Sequence, residues 1–101
     1  MKLPTHRPPT TPGEILRELF LEPAGISQLQ LARHLGWTPA KVNNLISGRL
    51  GVSAETALTL ADALGTTPQV WMNAQAAVDL WAAGRKHVLR KRLRSAVKSA
   101  A

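Results

Sequence analysis

Helix-capping signals recur at short intervals along this chain, and they constrain its fold more than any other feature. Thr11-Pro12-Gly13-Glu14 is a capping box with proline at the first helical position, and Ser27-Gln28-Leu29-Gln30 is a second capping box. Further helix starts stand at Thr38-Pro39, at Ser53 and at Thr67-Pro68. The sequence therefore predicts five short helices.

Proline and glycine mark where these helices end. Pro23 and Gly25 terminate the first helix, which is predicted over about Pro12 to Leu21. Single glycines end the next three helices: Gly36, Gly48 and Gly65. Apolar residues recur at helical spacing within the segments, and no alternating apolar and polar run predicts a strand. We therefore expect an all-α fold.

The basic charge is concentrated at the C-terminal end of the chain. The 101 residues carry 13 Lys and Arg against 6 Asp and Glu, a formal net charge of +7. Residues 1–83 hold six basic and six acidic side chains, so the whole excess lies in residues 84–101. We expect an N-terminal arm at residues 1–10, a neutral helical domain at residues 11–83 and a basic tail at residues 84–101.

The basic tail is predicted to be helical. Leu89, Leu93, Val97 and Ala100 keep roughly helical spacing among its basic residues, which is typical of an amphipathic helix. Such a helix is marginal alone in water, so we expect it to form when another surface covers its apolar side. Its charge favours a polyanionic partner.

The composition excludes several classes of protein. Without cysteine the chain has no disulfide, and His6, His34 and His87 are too far apart in sequence to indicate a metal site. No phosphate loop of the GxxxxGK type is present, so we expect neither an enzyme nor a bound cofactor. No apolar run approaches the roughly 18 residues of a spanning helix, and prolines interrupt the start where a signal peptide is apolar. We expect a cytoplasmic protein without membrane contact.

The second and third predicted helices have the spacing of a helix-turn-helix. This motif joins two short helices by a tight turn containing glycine, here Gly36, and places the second helix in the DNA major groove. Ala32 is small where the two helices approach each other. The outward positions of the third helix are polar or small, as a groove-binding face requires: Thr38, Pro39, Ala40, Lys41, Asn43, Asn44 and Ser47.

Some of these side chains suit contacts with bases. The amides of Asn43 and Asn44 match the N6 and N7 groups of adenine, and the methyl groups of Thr38 and Ala40 suit contact with thymine. No arginine on this face is available to recognise guanine. We therefore expect half-site contacts that favour A·T pairs.

Other side chains suit contacts with phosphates. Lys41 and Arg49 are long cationic side chains beside the groove, where they gain from counterion release whatever the DNA sequence. Gln28 and Gln30 lie in the first turn of the second helix, where an amide can donate to a phosphate at a helix N-terminus. The capping box already employs Gln30, so a purely structural role competes with DNA contact there.

A set of apolar residues in the fifth helix needs burial that one small chain can hardly supply: Trp71, Val78, Leu80 and Trp81. We expect part of this set to close the core and the rest to form a two-fold interface between two copies of the chain. Dimerisation would place two third helices about one DNA turn apart. The alternative is a monomer in which all four residues are core.

The stretch from Thr11 to Ala83 resembles the HigA family of addiction-module antitoxins, within the λ-repressor-like (XRE) regulators. The matching motifs are the PGEIL opening, LEP followed by Gly25, ISGR followed by Gly51-Val52, and GTTPQVWMNAQ. The resemblance implies a five-helix fold and a non-enzymatic homodimer that binds double-stranded operator DNA and represses its own operon. It also implies a partner, a HigB-like toxin of the RelE type that cleaves messenger RNA. The basic tail departs from the family pattern.

A row of acidic residues runs along the first predicted helix. Glu14, Glu18 and Glu22 recur every four residues, which places them on one side of the helix and its exit. The row is either a solvated helix face or a docking surface for a basic toxin.

Two other functions remain open from the sequence. The alternative to an antitoxin is a stand-alone XRE-type regulator with the same DNA chemistry and no toxin. In the third hypothesis the basic tail is the functional part and coats RNA or a membrane, while the domain is a folded support.

Overall fold

Five helices follow one another in the computed structural model, which describes residues 7–93. The first, α1, is continuous through three stretches: Pro12–Ile15, a π-helical segment Leu16–Leu21, and Glu22–Ala24. The others are α2 (Gln28–Leu35), α3 (Pro39–Ile46), α4 (Ala54–Leu64) and α5 (Pro68–Gly84). Residues 7–93 contain no strand. The prediction of an all-α fold with five helices is confirmed.

The first helix runs further than predicted because its middle is wider than an α-helix. Pro23 has no N–H to donate to the carbonyl of Leu19, and its ring would crowd that carbonyl in a regular α-helix. The N–H of Glu22 instead donates to the carbonyl of Arg17, five residues back. The helix therefore continues past Leu21 to Ala24 and ends at Gly25, whose φ of 66° is left-handed.

The predicted capping box of α2 is present as two hydrogen bonds. Ser27 Oγ accepts the N–H of Gln30 at 3.0 Å, and Gln30 Oε1 accepts the N–H of Ser27 at 2.8 Å. The second helix ends at Gly36, where a φ of 71° reverses the chain and lets the third helix start only three residues later. The turn fixes the angle between α2 and α3.

The core lies where all five helices meet. Its fully buried side chains include Leu16 from α1, Val42 from α3, Leu60 from α4 and Trp71 from α5. The indole N–H of Trp71 donates to Thr66 Oγ1 at 2.8 Å, so the large side chain is buried without an unpaired donor. The core thus holds α3 on a rigid support.

The basic tail is not helical where the structure describes it. Arg85 and Lys86 form a turn after α5, and residues 87–93 have no regular secondary structure. Closely spaced positive charges repel each other along a helix, and the apolar Leu89 is 88% exposed with nothing to cover it. Residues 87–93 are therefore not helical in the chain alone, and the helix that we expect when another surface covers its apolar side stays a prediction. Val97 and Ala100 lie outside the described residues.

Candidate nucleic-acid interface

One face of α3 consists of short, exposed side chains. Ala40, Asn43 and Ser47 follow one another at spacings of three and four residues, so they lie on the same side of the helix. All three are exposed, whereas Val42 and Leu45 on the opposite side are buried in the core. This face can approach a surface closely because none of its side chains is long.

The first turn of α3 is fixed by its cap. Thr38 Oγ1 accepts the N–H of Lys41 at 3.1 Å, and Pro39 occupies the first helical position. Lys41 extends over Trp37, with Nζ 4.3 Å from the ring centroid. This cation–π contact holds the ammonium group at the N-terminal edge of the face, where a phosphate could meet it.

A direct contact joins the two helices of the motif at this face. Asn43 Nδ2 donates to Gln28 Oε1 at 3.2 Å. Gln28 is the first residue of α2, and its side chain is half-buried. The structure therefore brings these two predicted site residues together, which the sequence did not indicate. Gln30 is instead committed to the capping box with Ser27.

The end of α3 is organised by the backbone of Asn44. Its carbonyl accepts the N–H groups of Arg49 at 2.9 Å and Leu50 at 3.0 Å, and also the hydroxyl of Ser47 at 3.2 Å. The Asn44 side chain is half-buried, while Arg49 is exposed in the loop beyond the helix. Arg49 is thus the cation at the C-terminal edge of the face, as Lys41 is at the other edge.

Gln75 of α5 supports the loop that follows α3, and the sequence analysis missed it. Its Oε1 accepts the N–H of Val52 at 2.8 Å, and its Nε2 donates to Asp79 Oδ1 at 2.9 Å. Gln75 follows Trp71 by four residues, so it shares the buried side of α5. A polar side chain on the buried side of a helix indicates that it has a hydrogen-bond partner, but the sequence does not identify that partner.

The four predicted interface residues of α5 separate in the structure. Trp71 has no exposed surface, because it packs in the core with its ring 5.6 Å from that of Phe20. Its assignment to a dimer interface is therefore wrong. Leu80 is 65% exposed, and Val78 and Trp81 are half-buried.

The surface arc around Trp81 is largely apolar, with one cation against it: the guanidinium of Arg85 lies over the Trp81 ring, 4.8 Å from its centroid. At 100° per residue Trp81 lies between Leu80 and Val78 around the helix axis, and Ala74 and Ala77 fall within the same arc. No charged residue of α5 interrupts it. An apolar helix face of this kind favours a protein partner.

The three glutamates of the acidic row on α1 have other contacts within the helix. Glu14 Oε1 accepts the N–H of Thr11 at 3.0 Å, and this hydrogen bond together with that from the Thr11 hydroxyl lowers the pKa of the Glu14 carboxyl. Glu18 and Glu22 lie 3.9 and 3.7 Å from the guanidinium of Arg17, on the exposed surface. Glu14 therefore serves the helix start, and Arg17 partly neutralises the other two.

Residues 7–93 contain neither a candidate metal-binding cluster nor a candidate membrane-spanning helix. No group of three or more His, Asp or Glu side chains comes close enough there to hold a metal ion. Within the same residues no helix is both long and apolar enough to cross a membrane.

Comparison with known proteins identifies relatives over most of the chain. Residues 13–70 match the helix-turn-helix domain family. The chain is also similar to antitoxin HigA-1 of Vibrio cholerae serotype O1, with 48% identity over 77 residues, which are 76% of this chain and 72% of the relative.

Two solved structures with the same fold contain DNA. Antitoxin GraA in complex with its operator aligns with a TM-score of 0.75 at 42% identity, covering 91% of this chain and 100% of the other. Pseudomonas aeruginosa antitoxin HigA with the higBA promoter aligns with a TM-score of 0.74 at 35% identity, covering 84% and 99%.

Proposed function

We propose, because the chain belongs to the HigA family of helix-turn-helix antitoxins, that it binds its own operator as a dimer and neutralises a HigB-like toxin. The observation that carries the DNA-binding part is the exposed face of α3, with Ala40, Asn43 and Ser47 aligned between the cations Lys41 and Arg49. Relatives of the same fold are known with operator or promoter DNA. We place this activity in the bacterial cytoplasm, where operator DNA is found.

The face divides into base and phosphate contacts. The amides of Asn43 and Asn44 have the donor and acceptor that adenine presents to the major groove, and the Ala40 and Thr38 methyl groups suit thymine. Pro39 and Ser47 border these side chains and admit close approach.

The phosphate contacts lie around this face. Lys41 and Arg49 flank it, and Gln28 stands at the N-terminus of α2, where an anion is favoured. Gln30 stays in this set, because Ser27 uses only its amide oxygen and the Nε2 donors remain available to a phosphate. These contacts add affinity whatever the sequence, so the preference for a half-site rich in A·T pairs comes from the base contacts alone.

Two copies of the chain are needed to bind a palindromic operator. We assign the two-fold interface to the apolar arc of α5 that contains Val78, Leu80 and Trp81. A second copy burying this arc would place two α3 helices on one face of the DNA, with half-sites about one turn apart. Leu80→Glu should therefore leave the protein monomeric in analytical ultracentrifugation and weaken operator binding.

The toxin-binding surface is proposed on α1. Glu18 and Glu22 are exposed and offer two carboxylates to a basic protein, and Arg17 is the cation that pairs with both of them. Glu14 contributes chiefly to the helix cap. Co-purification with the product of any small open reading frame adjacent to the gene tests for the toxin. A chain with operator binding but no such partner would be a stand-alone XRE-type regulator.

Footprinting of the purified protein on its own promoter region, against competitor DNA, tests operator recognition. Asn43→Ala and Asn44→Ala should each weaken a symmetric footprint by roughly 1 to 3 kcal/mol while leaving competitor binding unchanged. Gln69→Ala, which removes an exposed amide from the first turn of α5, is the matched control and should bind as the parent does. Equal binding to all sequences, lost when the tail is removed, would support the third hypothesis instead.

A further inference from the structure

The hydrogen bond between Gln28 and Asn43 joins the start of α2 to the exposed face of α3. We propose that Gln28 is a positioning residue for base recognition: it fixes the amide of Asn43 so that this side chain selects adenine over guanine. The inference rests on the proposed operator binding and specifies how one base pair of the operator is chosen.

Counting donors and acceptors explains the selection. A carboxamide has two N–H donors and one oxygen acceptor. One N–H of Asn43 is donated to Gln28 Oε1 at 3.2 Å, which leaves one N–H and Oδ1 for a base edge. Adenine presents an acceptor at N7 and a donor at N6, so the remaining pair of groups matches it.

Guanine does not match the amide while Gln28 holds it. In the major groove guanine presents two acceptors, N7 and O6, which require two donors from the protein. Asn43 has only one free N–H when the other is bound to Gln28, and its oxygen would face a guanine acceptor. Without Gln28 both N–H groups become available and the amide is free to rotate, so the preference for adenine weakens.

The position of Gln28 also links this contact to the DNA backbone. Gln28 is the first residue of α2, and its Nε2 donors are not used by Asn43. A phosphate at the helix N-terminus can accept them. The contact with Asn43 exists in the protein before DNA arrives, so less side-chain freedom is lost when the complex forms.

Gln30 provides the matched control within the same helical turn. Its side-chain Oε1 accepts the backbone N–H of Ser27 at 2.8 Å, and its backbone N–H donates to the Ser27 hydroxyl. A change at Gln30 should therefore affect the stability of α2, whereas a change at Gln28 should affect the choice of base.

The test measures dissociation constants for the operator and for a copy in which the A·T pair facing Asn43 is replaced by G·C. This pair is the one at which Asn43→Ala abolishes discrimination. The parent should prefer A·T by about tenfold. Gln28→Met, which keeps length and helix propensity but has no amide, should lower that ratio by about fivefold.

Two further variants separate positioning from phosphate contact. Gln28→Glu retains an acceptor for the Asn43 N–H but repels phosphate, so it should keep the ratio while weakening binding to both DNAs. Gln30→Met should keep the ratio and lower the urea midpoint of unfolding. In the Asn43→Ala background, Gln28→Met should leave the ratio unchanged.

Several results would overturn the inference. If Gln28→Met retains the parental ratio, or lowers it equally in the Asn43→Ala background, then Gln28 does not act through Asn43. If no base pair loses discrimination in Asn43→Ala although the operator is still preferred over competitor, then Asn43 is not a base contact. If the parent shows no preference for its operator at all, the proposed function itself fails.

Discussion

Gly13 is the residue at which a single added methyl group should do most damage. It lies in the first turn of α1, buried against the C-terminal end of α3. A Cβ at this position would lie 2.6 Å from the carbonyl oxygen of Ile46 and 2.7 Å from its Cα, with the Leu45 oxygen closer still. These are backbone atoms of a helix and cannot rotate away.

Two opposing terms set the magnitude for Gly13→Ala. Alanine is favoured over glycine in a helix by up to about 1 kcal/mol, which stabilises the variant. Ordinary contact begins at 3.4 Å, so α1 and α3 must separate by at least about 0.8 Å. Overpacking of this kind costs about 1 to 3 kcal/mol, or more where backbone must move. We expect the steric term to dominate, with a net loss of about 2 kcal/mol.

Urea unfolding at one fixed protein concentration measures this loss, since a dimer would make the midpoint depend on concentration. The midpoint of Gly13→Ala should fall by about 1 M. Gly84→Ala is the control, because Gly84 lies in α5 and nothing stands within 4 Å of its added Cβ. It should be neutral or slightly stabilising. A Gly13→Ala midpoint at or above that of the parent would refute the packing argument.

Three other changes test the remaining contacts. Gln75→Met removes the acceptor of the Val52 N–H and should cost about 1 to 3 kcal/mol in urea unfolding; an unchanged midpoint would mean that water replaces the amide. The Glu14 carboxyl has a pKa lowered from 4.5, so its stabilising contribution is present above that value and is lost as the pH falls through the lower, folded-state pKa. Acid unfolding of Glu14→Gln should therefore depend less on pH than that of the parent, and equal pH dependence would exclude the cap as its source. Truncation after Ala83 should flatten the plot of log affinity against log salt while leaving the preferred DNA sequence unchanged, and an unchanged slope would exclude phosphate contact by the tail.

Local chemistry was enough to predict most helix boundaries. The caps at Ser27 and Thr38 depend on residues three positions apart, and both are present as hydrogen bonds. The same signal was less informative at Thr67, which starts α5 without a side-chain cap bond. The wide turn in α1 escaped prediction, because a proline such as Pro23 indicates an end or a distortion without saying which.

Contacts between helices could not be predicted in the same way. Trp71 and Trp81 lie in one helix and look alike in sequence, yet one is fully buried and the other half-exposed. Which side of α5 faces the core depends on how the other helices pack against it. Gln28 and Gln30 are similarly alike in sequence, and only the position of α3 shows that Gln28 meets Asn43.

The distribution of charge separates the choice of DNA sequence from the strength of binding. The face of α3 is uncharged, and residues 1–83 carry no net charge, so a single domain gains little from counterion release. In the proposed dimer a second copy doubles the contacts of Lys41 and Arg49, and we expect the seven basic residues beyond Gly84 to add phosphate contacts without regard to sequence. Substitution of Asn43 and removal of the tail should therefore have additive effects on operator binding, because one changes base discrimination and the other changes the salt-dependent term.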